Sequence, residues 1–360
     1  MRKLKIRTHG MFGANHSWAH TMRSIFLEFH KMGHDLSIVS TDGLDFCPKE
    51  LLSYTKKSFE VPDIDICYTL PANFKDRFLT SSKLKLGIFN YESSVVPVEW
   101  KQNLEYLDFV LPSSNFVSQI FKNNGWKEEK IKTLHLGVDW DQFSSAQPQN
   151  IAGLNKYVFL NISIPHYRKN IDLVLESYYN AFHINDDVSL ILKTSLKKPS
   201  KRFECDVVEV IRGVQKKMGK SSLPKVHVIT DNYIDIAPLY KSSNCLFSMS
   251  SFEGFGLPML EAIAAGIDVI APKSTGQLDF LDDTNAYLMN CLEVEAPERY
   301  QYWRSSENSK IYQPNTIDGS NLMMEVLNKK SKNISVSKEL INNFSWKTTA
   351  NNLIKIYDSF

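Results

Sequence analysis

The stretch SFEGFGLPMLEA, residues 251–262, sets Glu253 and Glu261 eight positions apart around Gly254, Gly256 and Pro258. An apolar run, CLFSM, precedes it, and a helix-like run, MLEAIAAGI, follows. Pro258 suits the first turn of a helix, where a missing N–H costs nothing. A helix start preceded by glycines offers N–H donors and a positive dipole end to an anion. Glycine also lets the backbone come close to a ligand. The acids do different work, because carboxylates repel phosphate but accept hydrogen bonds from sugar hydroxyls. Glu253, ahead of the helix, is placed to meet a sugar attached to a diphosphate. Glu261, about one turn inside, is placed to face a ribose on the other side of the phosphates. Gly254, Phe255, Gly256 and Leu257 then form the turn that approaches the donor. Taken singly, Glu253 would serve as a dipole partner and Glu261 as a solvated helix residue. The agreement of strand, glycines, proline and helix favours a grip on a nucleotide diphosphate-sugar.

A second candidate group is basic. Arg168 and Lys169 stand just before the helical pattern NIDLVLESYYNAF, residues 170–182. As a departing nucleoside diphosphate gains negative charge, a positioned cation stabilises it in place of a metal; the alternative is a solvated basic pair. Glu92, in IFNYESSVVPVEW, is a candidate to orient an acceptor hydroxyl or take its proton, with helix capping as the rival role. Lys193, at the end of VSLILK, is a candidate for the cleft, and Tyr233 for the nucleobase. His16 and His20 are tempting acid/base groups, but without metal spacing each reads first as a polar loop or helix residue. Asp63-Ile64-Asp65 has Asp-x-Asp spacing, yet it opens an apolar strand and reads as a strand border. No essential divalent metal and no cofactor are expected.

These residues need a frame to hold them. KLKIRTH (3–9) alternates as a strand, GMFGANHS (10–17) is a turn-rich loop, and WAHTMRSIFLEFHKMG is a helix closed by Gly33. DLSIVST (35–41) is a second strand, and further apolar runs at 64–70, 84–91, 108–114 and 130–139 continue the alternation. Residues 140–156 are rich in Ser, Gln, Asn, Pro and Gly and read as a linker. After them the alternation restarts, with strands at 157–163, 188–195, 225–230, 244–250 and 267–272 and helices between. The expected fold is α/β: two Rossmann-like, doubly wound domains facing each other across a cleft, with ligands beyond the carboxyl ends of strands. The bulk numbers fit. The chain has 360 residues, 42 basic against 40 acidic, for a net charge of +2. That balance gives no pull toward nucleic acid. Five scattered cysteines (Cys47, Cys67, Cys205, Cys245, Cys291) have no C-x-x-C spacing. They fit a reducing compartment. No apolar run approaches the ~20 residues of a spanning helix, and MRKLKIRTHG lacks the apolar core of a signal peptide. A cytoplasmic chain is expected, with peripheral membrane contact left open.

With these motifs in hand, the sequence resembles the retaining glycosyltransferases of family four (group 1 glycosyl transferases), which have the GT-B fold. EGFGLPMLEA is similar to their E-x7-E signature. HLGVDWDQF (135–143), RKNIDLVLESYYNAF (168–182), DVSLILK (187–193), STGQLDFL (274–281) and FSWKTTANNLIKIY (344–357) extend the likeness over nearly the whole chain. The resemblance implies an acceptor-side domain over 1–148, a nucleotide-sugar donor domain over 149–345, and a last helix, 346–360, packing back on the first. It implies that the loop with Gly13, Ala14 and Asn15 lies near the donor phosphates. It also implies transfer of a hexose from a UDP- or GDP-linked donor to a glycan, glycolipid or protein hydroxyl with retention, by front-side attack, in surface-glycan assembly. The chain departs from the family pattern twice. Ser163 stands where an arginine is usual, so Arg168 is the candidate to take that role. Asn90-Tyr91-Glu92 stands where many relatives have a histidine. A nucleotide- or glycan-binding module of the same fold without turnover is the alternative, followed by a nucleotide-sugar epimerase or phosphorylase-like protein. A dehydrogenase is weaker, since the first loop has no G-x-G-x-x-G.

Overall fold

The computed structural model describes residues 2–78, 80–197, 204–231, 233, 235–297, 309–329 and 336–360. The chain divides into two units, Met1–Val138 with Glu339–Phe360, and Asp139–Lys338.

In the first unit, β1 (Lys5–Gly10), α1 (Ser17–Lys31) and β2 (Asp35–Ser40) form the opening strand–loop–helix–strand. Then come α2 (Lys49–Leu52), β3 (Ile64–Tyr68), α3 (Phe74–Arg77), β4 (Leu84–Phe89), β5 (Phe109–Pro112) and α4 (Asn115–Asn123). The five strands are parallel in the order β2-β1-β3-β4-β5. Ile6, Leu36, Ile38, Ile64, Ile66 and Leu86 are buried along it, the near-continuous apolar character a parallel sheet needs. The order reverses between β1 and β3, which opens a crevice at their carboxyl ends. Two expectations change. The run at 130–139 is not a full strand: Ile131 bridges Val110, Lys132 N and Leu134 N donate to Val110 O and Pro112 O at 3.1 and 2.8 Å along the edge of β5, and Val138 then bridges Ser345. Asp65 is no border residue. It is 0% exposed inside β3, with Arg7 Nη2 at 2.6 Å, so it is half of a buried ion pair.

In the second unit, α5 (Trp140–Ser145) lies inside the stretch whose composition reads as a linker. Phe143 anchors it, buried edge-on against Tyr240 at 5.4 Å. The alternation then runs β6 (Tyr157–Ile162), α6 (Ile171–Ala181), β7 (Val188–Lys193), α7 (Val207–Met218), β8 (Val226–Ile229) and α8 (Ala237–Lys241). It continues with β9 (Cys245–Phe247), α9 (Leu257–Ala265), β10 (Asp268–Pro272) and β11 (Tyr287–Met289). These strands are parallel in the order β11-β10-β9-β6-β7-β8, with the reversal between β6 and β9. Phe159, Val174, Tyr178, Leu190, Phe247 and Met323 belong to its core. A hairpin of β12 (Cys291–Glu295) and β13 (Lys310–Pro314), then α10 (Thr316–Asn328) against α6, complete the unit.

The chain ends with α11 (Lys338–Asn343) and α12 (Trp346–Asp358). Helix α12 packs on α1 of the first unit, where the His20 ring meets Trp346 at 5.6 Å. Val138 N donates to Phe344 O at 3.1 Å, and Thr349 Oγ1 to His135 O at 2.9 Å. Gly137 makes this approach feasible, because a Cβ there would stand 2.2 Å from Trp346 N. Among the described residues no helix is long and apolar enough to cross a membrane.

Candidate active site

The chain leaves β6 at Ile162 and enters α6 through Arg168, Lys169 and Asn170; it leaves β9 at Phe247 and turns through 248–256 into α9. Because β6 and β9 are neighbours where the strand order reverses, these two turns meet. Asn170 fastens them. Its backbone is left-handed (φ 47°), a conformation that asparagine tolerates better than most residues. Its Nδ2 donates to Met249 O at 2.8 Å and to Ser251 Oγ at 2.7 Å. Ser251 N in turn donates to Arg168 O at 2.8 Å.

The joint brings three charges together. Lys169 Nζ donates to Glu253 Oε1. Arg168 Nη1 lies 3.4 Å from Glu253 Oε2 and donates to Phe252 O at 2.8 Å. Glu253 is 6% exposed. Burial opposes its ionisation, but the Lys169 and Arg168 charges and the hydrogen bonds from Lys169 and Ser250 prevail and hold its carboxyl at about 2. The two cations foreseen for a diphosphate therefore share a carboxylate. Ser163, 5% exposed, donates its N–H to Lys193 O at 3.0 Å and serves the strand end.

A third segment shapes the turn. Thr275 has φ 62° and ψ −157°, a strained position for a β-branched residue. Its Oγ1 accepts from Glu253 N at 3.1 Å and donates to Gln277 Oε1 at 2.8 Å. Gly276 N donates to Glu253 O at 3.0 Å. A Cβ on Gly276 would stand 2.2 Å from Gly254 O. Gly256 has φ 99°, which suits only glycine without strain, and starts α9, with Pro258 in its first turn. Met259 N and Leu260 N both run to Gly256 O. Those two N–H groups are therefore spent inside the helix start, and Pro258 has none. The Phe255 side chain packs on Phe280 at 5.2 Å and Leu257 is buried, so both side chains serve the core of the turn. Glu261 Oε2 accepts from the Tyr240 hydroxyl at 2.6 Å. Burial pushes its carboxyl up to about 7, against the pull of that hydrogen bond.

At the carboxyl ends of β7 and β8, Lys193 Nζ stands over the Tyr233 ring at 5.9 Å, and Gln149 Nε2 donates to Tyr233 Oη at 3.0 Å. Burial lowers the Lys193 ammonium's pKa, with Asp231 opposing.

In the first unit the glycine loop is held from within. Gly13 N and Ala14 N, expected near donor phosphates, donate to Asp42 Oδ1 and Oδ2, each at 2.9 Å, and Phe12 N to Oδ1 at 2.7 Å. Arg23 Nη1 takes the carbonyls of Phe12 and Ala14 at 2.9 and 2.7 Å. A Cβ on Gly13 would meet Gly43 C at 2.4 Å, so this glycine serves loop-to-loop packing. Asn15, in the same loop, is exposed. His16 caps α1 by accepting from Ala19 N, and His20 packs on Trp346, so both fill structural places. Glu92 is half-buried beside Tyr68. Burial raises the Tyr68 phenol's pKa, the Glu92 charge adds to it, and Asn90 opposes. Trp18 stacks on the same Tyr68 at 5.1 Å.

Residues 213–298 match the family described as glycosyl transferases group 1. That segment is similar to the group 1 glycosyl transferases. The segment holds Glu253 and Glu261; Arg168 and Lys169 precede it. A probable sucrose-phosphate synthase of Thermosipho melanesiensis is 23% identical over 239 residues, 63% of this chain and 53% of that protein. Probable sucrose-phosphate synthase 5 of Oryza sativa subsp. japonica is 26% identical over 133 residues, 35% of this chain and 13% of that protein. The chain thus aligns with about half, or less, of the length of these curated relatives. A glycosyltransferase from Rickettsia africae has the same fold, with a TM-score of 0.69 at 17% identity over 100% of this chain and 99% of its own. So does the Anabaena protein HepE in complex with UDP-glucose, with a TM-score of 0.68 at 13% identity over 99% of this chain and 100% of its own. Two parallel α/β units are the architecture of the GT-B glycosyl transferases.

The turn before α9 sets a carboxylate against two cations at a strand-order reversal. Such a site can bind an anion through the cations and the helix mouth, and a hydroxyl through the acid. Sequence reading missed Asn170, Thr275, Tyr240 and Asp42. Asn170 had a signal, an asparagine between a basic pair and a helix. Thr275 had a weaker one, the STG turn. Tyr240 and Asp42 had none, because their partners are set by packing. Among the described residues no group of three or more His, Cys, Asp or Glu is placed to hold a metal ion.

Proposed function

We propose that this chain is a retaining glycosyltransferase that moves a hexose from a uridine diphosphate sugar to an acceptor hydroxyl in surface-glycan assembly. The observation that carries the reading is the Lys169–Glu253–Arg168 cluster beside a helix mouth, at the carboxyl ends of β6 and β9. When a donor binds, its diphosphate takes the cations in place of Glu253, and Glu253 turns to the sugar hydroxyls. Lys169 and Arg168 then stabilise the charge that grows on the leaving diphosphate, the role a metal has elsewhere. The leaving phosphate helps remove the acceptor's proton, so the protein supplies position and field rather than a covalent nucleophile. Glu261 faces the ribose, and the Lys193–Tyr233 pair faces the base. HepE, of the same fold, is bound to UDP-glucose, which supports uridine over guanosine.

The test is a thermal-shift comparison of UDP, GDP and their hexose conjugates, with and without chelator, followed by NMR of the anomeric product from the donor that binds. Binding raises stability by mass action. Stabilisation by UDP-hexose undiminished by chelator, with a retained anomer, is the expected result. Binding without any transfer or hydrolysis would replace this reading by a binding module, and an inverted product would overturn the mechanism.

A further inference from the structure

Tyr240 is 0% exposed, and its ring packs edge-on against Phe143. A phenylalanine would satisfy that packing. A buried hydroxyl is costly unless it is bonded, and the partner of this one is Glu261 Oε2, at 2.6 Å. The bond joins α8 to α9 at the acid placed one turn inside the helix mouth. We infer that Tyr240 is a positioning residue of the donor site: its hydroxyl holds one oxygen of Glu261, aims the other at the donor's ribose, and makes donor binding depend on the ionisation of that carboxyl. The inference rests on the reading above that Glu261 meets the ribose.

Around Glu261 the Tyr240 bond is the influence set against burial. Helix α9 packs against α5, α8, β9 and β10. On α8, Lys241 Nζ is turned to Ala265 O at 3.0 Å. On α5, Asp141 is exposed. On β9 and β10, Cys245 and Asp268 are buried and act on each other. In the turn before α9, Glu253 is engaged with Lys169 and Arg168. Burial is the largest influence on Glu261, and it raises the carboxyl to about 7; the Tyr240 hydroxyl pulls the other way. An ionised carboxylate accepts hydrogen bonds at both oxygens; protonated, one oxygen carries a hydrogen instead.

The experiment measures the dissociation constant of UDP-glucose by calorimetry from about pH 6 to about pH 9 for wild type, Tyr240→Phe and Glu261→Gln. UDP-glucose is the probe because its diphosphate has no terminal phosphate monoester, the group that titrates near pH 6. For wild type, affinity should fall as pH drops below about 7, by up to about tenfold per pH unit. Tyr240→Phe loses the donor that favours the ionised form, so its limb should move to higher pH. At about pH 7.5 its dissociation constant should rise about three- to tenfold, returning to within about twofold of wild type near pH 9. Glu261→Gln should bind more weakly, with no limb. A Tyr240→Phe profile that is unchanged, or weakened equally at every pH, overturns the inference while leaving the donor reading intact. If Glu261→Gln binds as well as wild type, or wild type does not bind the probe at all, the donor reading fails and takes the inference with it. Should Tyr240→Phe not fold, the wild-type profile decides, because a flat one overturns the proposed pH control.

Discussion

Replacing Glu253 by glutamine keeps the shape of the side chain and removes the charge that Lys169 and Arg168 share. Those cations have side chains only 11% and 19% exposed, so water does little to replace the lost carboxylate. Holding the carboxyl at about 2 instead of its ordinary 4.5 corresponds to about 3 kcal/mol of stability. Removing one partner of a buried pair typically costs about 3–5 kcal/mol, a consistent range. The folded pKa is depressed, so this stability is present above about pH 4.5 and lost as pH falls toward 2. At about 2–4 °C per kcal/mol for a unit of this size, the Glu253→Gln transition should lie about 6–12 °C below wild type at pH 7. The gap should narrow to roughly half in free energy by pH 3 and close near pH 2. The assay is scanning calorimetry across that range, with and without saturating UDP. Because phosphate charge can stand in for the missing carboxylate, UDP should raise the variant's transition by more than it raises wild type's, while hexosyl transfer is lost. A variant within about 2 °C of wild type at pH 7, or equal gains from UDP in both proteins, would refute the reasoning.

Asn170→Ala removes two hydrogen bonds and a residue suited to left-handed backbone, and should cost about 3 kcal/mol in urea unfolding; transfer should fall as Lys169 loosens, and Asn170→Gly should be the milder variant. Asp42→Asn weakens the partner of three loop N–H groups and should cost about 1–3 kcal/mol, with UDP-glucose affinity unchanged; a tighter dissociation constant would show instead that Asp42 covers an anion site. Gly137→Ala drives a methyl into Ser345 and Trp346 and should cost about 3 kcal/mol or more, read as faster proteolytic loss of the C-terminal helix; an unchanged digestion pattern would contradict the close approach.

Much of the fold was legible because its signals are short-range. Strand alternation, the Gly33 helix end, and the glycines and proline of residues 254–258 state backbone preferences that neighbours hardly alter. The stretch 140–156 misled because composition cannot register Phe143, one apolar residue that finds Tyr240 and turns part of a linker into α5. The run at 130–139 was half legible: Ile131 to Leu134 pair with the edge of β5 as strand-like residues should, but Val138 is claimed by the C-terminal segment, which its own sequence does not announce.

The candidate site divides along the same line. The sequence by itself determined the turn: Gly256 can take φ 99°, Pro258 can open a helix, and Glu253 and Glu261 must flank that mouth. It also set Arg168 and Lys169 before α6. Only the tertiary structure decided who faces whom. Lys169 and Glu253 are 84 positions apart and meet because β6 and β9 are neighbours where the strand order reverses. The loop at Gly13 looked open to phosphate until Asp42, 29 positions on, filled it. Local sterics are written residue by residue, whereas the partner of a charge or a hydrogen bond is chosen by the order in which strands assemble.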